Sequence, residues 1–153
     1  MKIEKKLAEM GFSLPDTPKP AGAYVPFRRT GNLVYISGQG CMEEGKLKYE
    51  GKVGSDLTEE EGYKASRIAV INLLAILKSA VGDLDKVVKI VNLHGFVNSA
   101  PGFVRQPMVI NGASEFLLEL YGERGQHSRC ALSANELPFN TPVEIEMIVE
   151  VEN

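Results

Sequence analysis

The sequence predicts an α+β fold, with two main helices on one face of a mixed β-sheet of about five or six strands. Three observations carry that prediction. Thr58-Glu59-Glu60-Glu61 has the acceptor-plus-acid pattern of a helix start, and Ala65, Ile68, Ala69, Leu73, Ile76, Leu77 and Ala80 follow at helical spacing up to Gly82. Near the other end, Val143, Ile145, Met147, Val149 and Val151 alternate with Glu144, Glu146, Glu150 and Glu152. Only Ile148 breaks the polar set, so the segment reads as a half-buried strand. The order of segments is β-β-α-β-α-β-β, and two helices suffice to cover a single sheet face.

In chain order, IEKKLAEM forms a short helix stopped at Gly11, and Leu14 to Ala23, with three prolines, is an extended arm. No second core begins there, so residues 1–153 are one domain, with residues 1–20 as its N-terminal helix and arm. Val25–Phe27 and Asn32–Ser37 read as strands joined by a hairpin turn at Arg28-Arg29-Thr30-Gly31. Ser37-Gly38-Gln39-Gly40 ends the second strand. Residues 41–57 are polar and glycine-bearing, the pattern of a long surface loop. Lys86 to Phe96 is β-branched and apolar enough for a central strand, closed by the turn-rich Asn98-Ser99-Ala100-Pro101-Gly102. The second helix runs from Pro107 to Tyr121 with Val109, Ala113, Phe116, Leu117 and Leu120 as its apolar stripe, proline being suited to a first turn.

Arg129–Ala134 and Val143–Val151 complete the sheet. Leu137-Pro138 and Asn140-Thr141-Pro142 punctuate the connection. Proline fixes its own φ and biases its neighbour to extended geometry, so the chain is expected to leave the Arg129 strand and return close beside it. Arg129 and Glu144 would then face one cleft, a pairing suited to a small carboxylate.

Composition narrows the function. With 44% hydrophobic and 24% charged residues, the 153-residue chain has the makeup of a soluble globular protein. A net charge of −3 disfavours nucleic acid as a partner, because no global field attracts phosphates. No apolar run suggests a membrane span or an export signal. Cys41 and Cys130 lie far apart without metal-ligand spacing, and a reducing cytoplasm is the simplest setting. His94 and His127 are isolated, and no phosphate loop or dinucleotide fingerprint is present. No metal or cofactor is expected. Because two helices leave one sheet face uncovered, association with further copies is expected as well.

The ordered set Gly22-Ala23-Tyr24-Val25, Ile36-Ser37-Gly38-Gln39, Gly95-Phe96-Val97-Asn98, Asn111, Arg129, Leu137-Pro138 and Val143-Glu144-Ile145-Glu146 resembles the reactive-intermediate deaminase family. That family is also called the YjgF or L-PSP endoribonuclease-like family, and the resemblance spans nearly the whole chain. It implies a chorismate-mutase-like fold and a homotrimer with a barrel-like centre and three clefts between neighbouring subunits. It further implies hydrolysis of 2-imino acids to 2-oxo acids and ammonia without a cofactor.

In that reading Arg129 holds the substrate carboxylate, a task suited to a planar, permanently charged fork. Glu144 handles the attacking water. Tyr24, Ser37 and Asn111 line the cleft, and the backbone around Gly38 and Cys130 adds hydrogen bonds. The better-known deaminases carry a cysteine two residues after the arginine; here that position is Ala131, and Cys130 stands one residue earlier. Adjacent strand residues face opposite ways, so Cys130 is no substitute by position. The arm and the 41–57 segment are longer than in the compact deaminases and resemble a longer branch.

Without the resemblance, Arg129 reads as a surface ion-pair former and Glu144 and Glu146 as the wet side of a strand. His127, just before Arg129, is an outside candidate for a base, ahead of His94. Two other functions compete: a noncatalytic trimer that binds small carboxylate metabolites, and a ribonuclease. Acidic composition and the absence of a histidine pair count against the ribonuclease.

Overall fold

The computed structural model describes residues 1–153. Its elements are α1 Lys2–Glu9, β1 Phe27–Thr30, β2 Leu33–Gln39, β3 Met42–Glu43, β4 Lys46–Leu47, α2 Glu59–Val81, β5 Val87–Asn98, α3 Gln106–Tyr121, β6 Ser128–Ala134 and β7 Val143–Val151. Local chemistry accounts for the helix ends. Glu61 N donates to Thr58 Oγ1 at 3.1 Å while Thr58 N donates to Glu61 Oε1 at 3.0 Å, a reciprocal cap at the start of α2. Pro107 occupies the first turn of α3, where a missing N–H costs nothing.

Five strands form one mixed sheet in the order β1-β2-β7-β5-β6, and β3 and β4 pair as a separate small ladder. All neighbours in the large sheet are antiparallel except β5 and β6, which α3 connects as the crossover that parallel pairing requires. Val34, Ile36, Ile90, Leu93, Val97 and the alternating apolar residues of β7 turn to one face and are buried under α2 and α3. The two helices touch closely. A Cβ on Gly112 would stand 2.0 Å from the carbonyl oxygen of Tyr63, so only glycine permits this approach. The opposite sheet face has no helix over it, and Tyr35 and Leu132 remain 45% and 54% exposed there.

The strand order corrects the expectation that β7 returns beside β6. β7 inserts between β2 and β5, and β5 separates it from β6. Proline-rich connections determine where a chain bends, whereas burial determines which edge a strand joins. Every inward residue of β7 is buried, and a central position gives that apolar edge two partners.

Two further boundaries differ. Arg28, Arg29 and Thr30 belong to β1, paired with Tyr35, Val34 and Leu33, so the turn is only Gly31-Asn32. Residues 41–57 are not a bare surface loop. Cys41 and Val53 are fully buried, and Val53 exchanges backbone hydrogen bonds with Asn98 and Ala100 at 2.9 Å each. Those two apolar anchors pin an otherwise polar segment to the core.

Candidate functional site

Arg129 lies on β6 with its side chain on the helix-covered face, level with Leu93 of β5 and Met147 of β7. α3 crosses above it and supplies acceptors. Nη1 donates to Asn111 Oδ1 at 2.8 Å and to Ser114 Oγ at 3.0 Å, and Nη2 donates to the Pro107 carbonyl at 3.1 Å. Ser114 Oγ is also 2.9 Å from His127 Nε2, and His127 Nδ1 is 2.7 Å from the Gly125 carbonyl. Burial, with the Arg129 charge adding to it, pushes the His127 pKa below the ordinary histidine value. The charge of Arg129 has no carboxylate partner within the chain, so its fork is held by neutral acceptors and can still take an anion.

Glu144 belongs to a different part of the molecule. On β7 it pairs with Phe96 of β5, which in turn is level with Leu132 of β6, so its side chain points to the uncovered face. It stands at the bulge where β2 shifts register between Ile36 and Gln39. A Cβ on Gly38 would meet Glu144 Cγ at 3.1 Å and Oε2 at 3.3 Å. Glycine at position 38 therefore gives the carboxylate its room. Glu144 makes no side-chain hydrogen bond, and burial, reinforced by the neighbouring Glu146 carboxylate, pushes its pKa above the ordinary glutamate value.

The space around Glu144 is a cavity of about 580 Å³. Its walls come from the arm, including Lys19 and Tyr24, from the Gly38-Gln39-Gly40 segment, from the β3–β4 hairpin, and from Pro138 and Phe139. Phe139 is 79% exposed and held at φ +57°, a conformation uncommon for a bulky residue. Tyr24 holds its own segment of the arm, its hydroxyl accepting from Ala21 N at 3.3 Å.

The remaining predicted residues fall elsewhere. Ser37 Oγ donates to the Val25 carbonyl at 2.7 Å, tying the arm to β2, and lines a neighbouring hollow with His94 and Glu146. Cys130 is exposed on the uncovered face, level with His94, whose Nδ1 lies 3.2 Å from Glu146 Oε1. The structure thus joins Arg129 with Asn111, joins Glu144 with Gly38 and Tyr24, and keeps the two groups apart. The expectation that Arg129 and Glu144 face one cleft within a chain is corrected: through Leu93 of β5, Arg129 is level with Met147, three residues along β7 from Glu144, and that odd step turns the two side chains to opposite faces. Ser114 and Phe139 were missed. Ser114 stands three residues after Asn111 on an otherwise apolar helix face, and that pair of polar residues was the available signal.

Comparison with known proteins agrees with the fold. The model of the YjgF/chorismate mutase-like family, whose description carries a provisional endoribonuclease label, matches residues 4–151. Protein TCP17 of Trypanosoma cruzi is 37% identical, covering 99% of this chain and 96% of its own length. A 2-iminobutanoate/2-iminopropanoate deaminase of Dermatophagoides farinae is 29% identical, covering 92% and 95% respectively. The crystal structure of Atu1372 from Agrobacterium tumefaciens, a protein of unknown function, superposes with a TM-score of 0.93 at 45% identity, over 98% of this chain and 92% of the other. No helix of the present chain is long and apolar enough to cross a membrane.

Proposed function

The chain belongs to the YjgF/chorismate mutase-like family, and on that premise we propose that it is a hydrolytic deaminase of reactive 2-imino acids, acting in clefts between the subunits of a homotrimer. One observation supports this above the others. A cationic fork without an anionic partner and a carboxylate without a hydrogen bond lie on opposite sheet faces of the same chain, each half of a complementary pair. A second copy docked by its uncovered sheet face would bring one chain's fork to the other's carboxylate. The exposed Tyr35 and Leu132 on that face favour such docking.

In the assembled cleft, the free donors of Arg129 hold the carboxylate of the 2-imino acid. Water attacks the carbon of the protonated imine as its C=N pair shifts to nitrogen, and Glu144 takes one water proton. The resulting carbinolamine receives that proton on nitrogen, and as the C–N bond breaks and the C=O bond forms, ammonia leaves and the hydroxyl proton passes to the Glu144 carboxylate and on to solvent. A glutamate pKa raised above its ordinary value suits a group that first accepts and then returns one proton. The deaminase activity named for the Dermatophagoides relative is consistent with this reading.

The test couples a pyridoxal-phosphate dehydratase that releases 2-aminoacrylate or 2-iminobutanoate to the purified protein, with ammonia as the readout. Sedimentation accompanies it. Faster ammonia release by a protein sedimenting as a trimer is the expected result. A stable monomer, or binding of 2-oxo acids without any acceleration, overturns the deaminase reading; the second outcome leaves a carboxylate-binding trimer in its place.

A further inference from the structure

The arginine half-site contains a chain of hydrogen bonds whose proton positions follow from counting donors. The Gly125 carbonyl has only lone pairs, so His127 Nδ1, 2.7 Å away, carries a proton and donates it. The Arg129 guanidinium has only donors, so Ser114 Oγ, 3.0 Å from Nη1, accepts. Ser114 then has one hydroxyl proton to place. Its other partner is His127 Nε2 at 2.9 Å, which offers a lone pair only when the ring is neutral and protonated on Nδ1. A single assignment satisfies all three contacts: Arg129 donates to Ser114, Ser114 to His127, and His127 to Gly125.

The alternative ring states break the chain. With the proton on Nε2, two acceptors would face each other between Nδ1 and Gly125. With both nitrogens protonated, Ser114 Oγ would receive two donors while its own proton lost its partner, and a second cation would stand beside Arg129. The downward shift of the His127 pKa agrees with the neutral ring.

We infer that His127, acting through Ser114, is a positioning residue for Arg129 that determines which guanidinium protons remain for a ligand. This deepens the reading of Arg129 as the carboxylate holder and rests on it. Nη1 commits both its protons to Asn111 and Ser114, and Nη2 commits one to Pro107. The Nε–H and the second Nη2–H, on neighbouring nitrogens, are left over. Ser114 is only 7% exposed, so water competes little for its hydroxyl. Without the Nε2 lone pair that hydroxyl rotates, its own lone pairs leave Nη1, and the fork turns about Nε–Cζ instead of presenting a fixed edge.

Nitrogen NMR of the full-length protein and calorimetry with 2-oxobutanoate and benzoate test this on wild type, Ser114→Ala, His127→Phe and His127→Gln. Glutamine restores a neutral acceptor near the position of Nε2. Wild type should show the Nδ1–H tautomer and separately resolved Arg129 Nη signals. Ser114→Ala and His127→Phe should average those signals and bind the carboxylates about tenfold more weakly, whereas His127→Gln should regain most of the affinity. A purely structural role would lower the melting temperature without moving affinity or guanidinium order. An Nε2–H tautomer overturns the inference, and so do unchanged Nη signals and affinity in both Ser114→Ala and His127→Phe. If wild type binds neither carboxylate while its Nη order is present and is lost in His127→Phe, the deaminase reading fails and the positioning of Arg129 stands.

Discussion

The two half-sites differ in how completely the chain supports them. Around Arg129, the guanidinium is fixed by Asn111, Ser114 and Pro107, with His127 behind Ser114. Around Glu144, the carboxylate has no hydrogen bond, and its main neighbour is the hydrogen-only position of Gly38. An ionised carboxylate left in a half-buried setting is an unfavourable arrangement that folding alone would not favour. Under the proposed function, the contrast separates a group suited to orientation from one suited to reactivity. Orientation needs partners, whereas a proton acceptor is kept basic by withholding them.

The strongest way to break this contrast is Glu144→Gln. If Glu144 transfers the proton, the amide should lower kcat for imine hydrolysis by about 10²–10⁴-fold while leaving product binding and assembly in place. Single-turnover ammonia release and calorimetry measure the two parts. A variant with wild-type kcat would move the proton transfer to another group.

A smaller effect is expected at the other half-site. Arg129→Lys keeps the charge but loses the planar fork and its anchors to α3, and should weaken carboxylate binding by about 1.5–3 kcal/mol, roughly 10- to 150-fold. Equal affinities by calorimetry would make Arg129 a structural residue.

The smallest effect is on stability, and it has opposite signs in the two regions. The folded-state pKa of Glu144 lies above its unfolded value, so the folded protein binds the extra proton and loses stability as pH rises from about 4.3 through the raised value. Glu144→Gln removes that loss. Its melting temperature should exceed that of wild type by a few degrees at pH 8, with the gap closing as the pH falls below about 4. His127 has a lowered folded pKa, so here the unfolded chain binds the extra proton and wild type loses stability as pH falls below about 6.5. His127→Gln should flatten that slope. Calorimetric melts across pH check both signs, and parallel curves for wild type and both variants would erase the distinction.

Much of this arrangement could be read from residue order. Thr58 and Glu61 mark a helix start because both halves of the reciprocal cap are local. The alternation from Val143 to Val151 marks the buried face of β7 for the same reason. What could not be read is which strands become neighbours. Nothing within residues 129–146 indicates that β5 lies between β6 and β7, since that placement depends on burial shared with residues 87–98. Cys41 and Val53 were likewise inconspicuous in a polar segment until the core received them. Arg129 and Glu144 stood out as residue types, but their separation to opposite faces is a property of sheet order. His127 stood out too, yet its role as an acceptor behind Ser114, in place of a free base, is set by a helix that precedes it in the chain.

The central position of β7 also shapes how the chain folds. It pairs with β2, with Leu33 opposite Glu150, and these partners lie near opposite ends of the sequence. Closing so long a loop is entropically slow, and the middle of the sheet cannot zip until the last strand has arrived. Without β7 the sheet would be left as β1–β2 and β5–β6, each with an open edge. Glu144 rides on the strand that joins them. The carboxylate half-site therefore depends on the strand that closes the sheet, whereas the arginine anchor is contained in α3 and β6.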